Sequence, residues 1–108
     1  MTITEMEALA RDRFFARVEA HETLRRDPAM YVRSGRFIWP TDAGKAAIER
    51  IHQTMPTSEV DCGNVTVRAI SPKNLTVIRR DHIRFQYRVD GKPAKREAAI
   101  AALTAGQP

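Results

Sequence analysis

Apolar and polar side chains alternate most regularly in the last third of the chain. Ile83, Phe85, Tyr87 and Val89 interleave with Arg84, Gln86 and Arg88, and a strand sends successive side chains to opposite faces. The spacing predicts a strand over 82–89 with one greasy face and one face carrying arginines. Asp90-Gly91 then predicts a tight turn, and Lys92-Pro93 leads into a short helix through Ala98, Ala99, Ile100 and Leu103. Upstream, Val65, Val67 and Ala69 alternate with Thr66 and Arg68, and Leu75 to Ile78 forms a further apolar run. Ser71-Pro72-Lys73-Asn74 and Arg79-Arg80-Asp81 are the connections. Together these predict a three-stranded antiparallel meander roofed on its apolar face by the C-terminal helix. The register of the 75–78 strand stays open. With Leu75 and Val77 inward, the following loop holds three residues; with Thr76 and Ile78 inward, it is a two-residue turn, and the faces invert.

The first half follows a different period. Met6, Ala10, Phe14, Val18 and His21 recur at helical spacing. Thr4 and Glu7 are spaced as a capping box, with Ile3 before the cap, and Pro28 ends the helix near Arg26. His21 is expected at the core edge of this helix. Tyr31-Val32 and Phe37-Ile38-Trp39, separated by Ser34-Gly35, predict a hairpin over 31–39. Its aromatic residues are expected to pack against a helix, with Trp39 as a secondary candidate anchor for a partner, since Trp, Tyr and Arg are enriched in binding hot spots. Whether this hairpin joins the main sheet is left open by the pattern. Pro40 closes it, Thr41 or Asp42 caps a second helix carrying Ala47, Ile48, Ile51 and Met55, and Pro56 ends that helix. The fold class is α+β, in the order helix, β-hairpin, helix, three-stranded antiparallel meander, C-terminal helix. The whole of 1–108 is expected as a single domain, with 104–108 a flexible tail.

Composition sharpens this picture at two points. The single cysteine, Cys62, excludes an internal disulfide and suits a reducing compartment. Met1-Thr2-Ile3-Thr4-Glu5 carries no basic start and no apolar run, so a cytoplasmic protein is expected. The net charge of +5 is concentrated at one end. Residues 61–108 hold nine Lys and Arg against four Asp and Glu, while the first sixty residues balance to zero. Fourteen of the eighteen basic residues are arginine, the side chain whose planar fork suits carboxylate and phosphate.

Catalytic and metal-binding chemistry finds little support. Gly44-Lys45 lacks both the upstream glycine and the following hydroxyl residue of a phosphate-binding loop. His21, His52 and His82 are isolated, one cysteine builds no zinc finger, and no nucleophile elbow occurs. The chain is therefore expected to be non-enzymatic, with no cofactor and no metal.

Two segments carry resemblances. Phe37-Ile38-Trp39-Pro40-Thr41-Asp42-Ala43-Gly44-Lys45-Ala46-Ala47-Ile48 resembles the end of a winged-helix DNA-binding domain, where a wing strand runs into a Thr-x-x-Gly helix start. That likeness implies a small basic DNA-binding transcriptional regulator and assigns no base-reading residue. Phe85-Gln86-Tyr87-Arg88-Val89-Asp90-Gly91-Lys92-Pro93-Ala94-Lys95-Arg96-Glu97-Ala98 resembles the endings of small phage and prophage accessory proteins. That class includes the anti-CRISPR inhibitors, and the likeness implies a non-enzymatic protein that occupies a surface of a bacterial nucleic-acid-handling defence complex. The expected partner is an acidic protein surface or nucleic acid of a host complex, with no membrane and with a homodimer as an open possibility. The expected partner-binding residues are Arg68, Arg79, Arg80, Arg84, Arg88, Lys92 and Arg96.

Overall fold

The structure, a computed structural model, describes residues 1–71 and 82–106. In chain order the elements are α1 (Ile3–Arg26), β1 (Tyr31–Ser34), β2 (Phe37–Pro40), α2 (Asp42–Thr54), β3 (Glu59–Cys62), β4 (Val65–Ile70), β5 (Arg84–Val89), β6 (Lys92–Ala94) and α3 (Arg96–Ala105). Among the described residues they form three helices with a two-stranded and a four-stranded antiparallel sheet. The α+β class holds, but the meander has four strands, in the order β3-β4-β5-β6. β4 pairs directly with β5, so the 75–78 run does not separate them, and that run itself lies outside the described residues. Among the described residues no helix is long and apolar enough to cross a membrane.

The chain divides into two compact units, Met1–Phe14 with Thr57–Pro108, and Phe15–Pro56. The first is built on the four-stranded sheet. β4 is its centre: Val65, Val67 and Ala69 are buried on one side, and Val65 and Val67 are completely enclosed. Fully burying one such side chain stabilises a fold by about 1.5–3 kcal/mol. Ala99 and Leu103 of α3 are buried with them, as are Ile3, Met6 and Ala10 of α1. α3 runs on to Ala105, so Thr104 and Ala105, expected in the tail, are helical.

Two turns set the sheet's register. Asp90 and Gly91 both take positive φ, 54° and 75°, the signature of the type I′ turn whose twist matches a hairpin. Val89 therefore faces Lys92 across a hydrogen-bonded pair, and the next pair, Arg88 with Pro93, is not hydrogen-bonded. Pro93 thus occupies a position where a missing N–H costs the ladder nothing. At the same end of the sheet, the Asp90 N–H donates to the Asn64 carbonyl, and Asn64 Nδ2 donates to Asp90 Oδ1.

The start of α1 lies two residues earlier than expected. Thr2 and Glu5, not Thr4 and Glu7, form the reciprocal cap: the Thr2 N–H donates to Glu5 Oε1 and the Glu5 N–H to Thr2 Oγ1, each at 3.1 Å. Both pairs fit the capping spacing. The earlier start makes Ile3 the first helical residue, on the same buried stripe as Met6 and Ala10.

The second unit has a thin core, with Gly44 and Ala47 buried in α2. Its junction is built on the Thr41-x-x-Gly44 segment. Thr41 Oγ1 accepts the Gly44 N–H and donates to the Ala29 carbonyl, while the Thr41 N–H donates to the Met30 carbonyl. This cap lays the first turn of α2 on the chain entering β1. A Cβ on Gly44 would stand 1.9 Å from Met30 O and 2.9 Å from Met30 C, inside backbone that cannot step aside. At the other end of α2, the Arg17 guanidinium donates to the carbonyls of Met55, Pro56 and His52, three acceptors that a helix terminus leaves without intrahelical donors. His21, half-buried as expected, lies 5.7 Å from His52 between ring centres.

Gly44→Ala should test the junction. Alanine favours a helix over glycine by about 1 kcal/mol. The clash with Met30 outweighs that gain, and the expected net loss is about 2 kcal/mol, in the range for overpacked sites. The change would be read as a lower urea midpoint at unchanged slope, and a midpoint at or above the parent's would refute the packing argument.

Candidate functional site

The face of the four-stranded sheet opposite the core is assembled row by row from the strand register. Arg88 stands between Pro93 and Thr66, and Thr66 is followed by Asp61. Gln86 pairs with Arg68, and Arg68 with Glu59. Arg84 pairs with Ile70. Arg68, Arg84, Gln86 and Arg88 are all exposed, while their neighbours Phe85, Tyr87 and Val89 are half-buried on the core side. Four residues of strand separate Arg84 from Arg88 by about 13 Å, and Arg68 lies one strand over, level with their midpoint. The result is a triangle of guanidinium groups carried on hydrogen-bonded backbone.

The same rows bring in two carboxylates that sequence reasoning missed. Glu59 and Asp61 alternate with Val60 on the edge strand β3 and so share the arginine face. Asp61 accepts a hydrogen bond from Thr66 Oγ1 at 2.6 Å. The face therefore grades from arginine on β5 to carboxylate on β3. The hint in the sequence was Glu59-Val60-Asp61-Cys62, which alternates but holds one large aliphatic residue and so registers weakly as a strand.

The other expected site residues are placed differently. Lys92 is exposed on β6 but pairs with Val89, which puts it on the opposite side of the pleat at the sheet edge. Arg96 belongs to α3 and forks on Glu7, with Nε to Oε2 at 3.0 Å and an Nη to Oε1 at 3.1 Å. The Tyr87 hydroxyl donates to the same Glu7 carboxylate. Arg96 thus stands on the Tyr87 side of the sheet, away from Arg68, Arg84 and Arg88. Arg79 and Arg80 lie outside the described residues. Trp39 sits in the other unit, and it and Phe37 are not core residues: they are 46% and 74% exposed.

The Glu7 cluster couples three elements. Glu7 and Arg11, one helical turn apart, meet Tyr87 and Phe85, one pleat apart; the Arg11 guanidinium lies 5.9 Å from the Phe85 ring centre, within cation–π range. Arg13, further along α1, donates to the Glu59 carbonyl at 3.0 Å. Burial by itself would raise the Glu7 carboxyl, but hydrogen bonds from Arg96 and Tyr87, with the charges of Arg96 and Arg11, hold it below the ordinary carboxylate value. Burial, followed by the bond to Glu7 and its charge, pushes the Tyr87 phenol well above its ordinary range.

The groove beside β6, of about 320 Å³ and lined by Phe85, Gln86, Tyr87, Arg88, Pro93 and Ala94, is open and holds no nucleophile–base pair. Among the described residues no group of three His, Cys, Asp or Glu side chains is placed to hold a metal ion. Comparison with protein-family models, curated proteins and solved structures found no match.

The Glu7 cluster makes a pH-dependent contribution to stability. A carboxyl held low in the folded state stabilises above its unfolded value of about 4.3, and the contribution is lost as pH falls through the folded value. Glu7→Gln should therefore melt below the parent at pH 7, and the two melting curves should draw together as pH falls below the unfolded carboxyl value and through the lower folded one. A difference that persists unchanged into acid would mean that packing, not charge, carries the Glu7 contribution.

Proposed function

We propose that this chain is a non-enzymatic binding protein that docks on a partner protein through the open face of its four-stranded sheet. The observation that carries the reading is the rigid triangle of Arg68, Arg84 and Arg88, exposed together and bordered by Glu59 and Asp61. A uniform polyanion lying across the strands would meet the carboxylates of β3. A protein surface with an acidic centre and a cationic margin would match both signs, and matched potentials of this kind fix register and exclude wrong partners. The resemblance of the C-terminal segment to small phage and prophage accessory proteins supplies the partner class: a nucleic-acid-handling defence complex of a bacterial host, which the bound protein would obstruct in the manner of an anti-CRISPR inhibitor. Of the remaining basic residues, Lys92 stands on the other side of the pleat, and Arg96 acts by holding α3 to Glu7.

The test begins with capture from host lysate, with and without nuclease, followed by binding measurements on the purified partner. Removing one member of a buried interfacial charge pair costs 2–5 kcal/mol. The Arg84→Glu, Arg88→Glu double variant should therefore bind at least about 30-fold more weakly, with its circular dichroism unchanged. Asp61→Lys should also weaken binding. Full affinity in both variants, or a catch emptied by nuclease, would overturn the reading. The alternative, a small basic DNA-binding regulator as the wing-like segment implies, predicts duplex binding that falls steeply with salt and strengthens when Glu59 or Asp61 is replaced by lysine.

A further inference from the structure

The hairpin unit joins α1 to the end of α2 through a cluster of basic side chains. Arg17, His21 and Arg25 recur every fourth residue and so share one face of α1. His52 stands in the last turn of α2, and its ring meets that of His21 at 5.7 Å between centres, with 60° between the planes. His21 is half-buried and His52 exposed. A helix C-terminus ordinarily welcomes a cation, because its last carbonyls lack intrahelical donors. Here Arg17 already occupies them, donating to the carbonyls of His52, Met55 and Pro56 at 3.4, 2.6 and 3.0 Å. Protonation of either imidazole would therefore set a new charge beside a guanidinium that has taken the compensating acceptors. The charges acting on His21 are those of His52, Arg25 and Arg17, all of one sign. Glu19 and Glu22 fall on other faces of α1, and Glu49, one turn before His52 on α2, accepts from Gln53 Nε2 at 3.1 Å.

We propose that the contact between α1 and the last turn of α2 is an acid-sensitive latch, closed while the imidazoles of His21 and His52 are neutral and opened when both take up protons. Neutral rings can stand against each other. Two imidazolium ions there, with Arg17 and Arg25, would gather four positive charges in one place, and histidine is the side chain that makes this change in mild acid. Burial, followed by the charges of His52, Arg25 and Arg17, holds the His21 imidazole below its ordinary value. For such a base the opened form takes up the proton first. The latch is therefore at full strength above about pH 6.5, the value of a free histidine, and weakens as pH falls below it. The thin core of this unit suits a local opening, since Gly44 and Ala47 are the buried residues of α2. The Glu7 cluster of the other unit responds to acid only in the lower carboxylate range, so mild acid reaches the latch first. The inference does not rest on the reading of the sheet face.

Nuclear magnetic resonance on the full chain, from about pH 7.5 to about pH 5, tests the latch across the histidine range. The His21 ring should titrate below about 6.5. His52→Gln changes an exposed side chain, so the fold should be retained, and it should move the His21 titration upward by removing a cation. Hydrogen exchange, corrected for its intrinsic pH dependence, should show the amides of α2 opening about two- to fivefold more at about pH 5.5 than at about pH 6.5, the upper figure being that of one proton excluded from the closed form. The amides of β4 and β5 should keep their protection. His52→Gln should reduce the pH response of α2 and His21→Gln should abolish it, while His82→Gln, in the other unit, should leave it intact. Should His21→Gln fail to fold, the His52→Gln titration decides alone. A His21 ring that titrates at or above about 6.5, or one unmoved by His52→Gln, would overturn the proposal. So would α2 protection indifferent to pH, a pH response that survives in His21→Gln, or loss in β4 and β5 in step with α2.

Discussion

The pairing of β4 with β5 is the interaction on which the rest of the larger unit depends. Six residue pairs align in register from Val65 opposite Val89 to Ile70 opposite Arg84, and the pleat then commits every side chain of both strands to one side or the other. Val65, Val67 and Ala69 close the core, while Phe85 and Tyr87 turn toward α1. With those sides taken, Arg68, Arg84 and Arg88 have no alternative to the open face. The hydrophobic demand of one side thereby sets the electrostatic character of the other, and the arginines hold their spacing without needing contacts of their own. Glu7, Tyr87 and Arg96 then fasten α1 and α3 to the same strand.

The two units meet the burial requirement unequally. The sheet unit encloses Met6, Val65 and Val67 completely. The hairpin unit has no such enclosed large side chain; Gly44 and Ala47 mark its buried points. What holds it is backbone chemistry: the Thr41 cap, the close approach of Gly44 to Met30, and the Arg17 guanidinium gathered by the carbonyls at the end of α2. Such contacts depend on direction and distance more than on area, which is why one added methyl group at Gly44 is so poorly tolerated there.

Much of this was legible along the chain, and the exceptions have physical causes. The alternation over 82–89 marked a strand with an arginine face because greasy and charged residues took strict turns. The Thr41 helix start and the turns at Ser34-Gly35 and Asp90-Gly91 were readable from Gly, Asp and Pro. β6 was hidden by Pro93, whose unfavourable strand chemistry is cancelled by a register that no local pattern shows. β3 was hidden because a short edge strand needs few apolar residues. Arg96 resembled any other free cation, since its partner Glu7 is 89 residues away. Phe37 and Trp39 looked like core because hydrophobicity announces a wish for burial without saying whether this chain supplies the cover.

The margins of the four-stranded sheet bear on a different matter, its behaviour in concentrated solution. Unpaired strand edges are templates on which further chains can grow. Here one margin is β6, three residues long, with a proline at its middle and a lysine at its start. The other is β3, where Glu59 and Asp61 flank Val60 and the Arg13 guanidinium occupies the Glu59 carbonyl. Both margins discourage a passing strand from joining the ladder, so the sheet can keep one broad side bare to solvent without becoming the seed of a fibril.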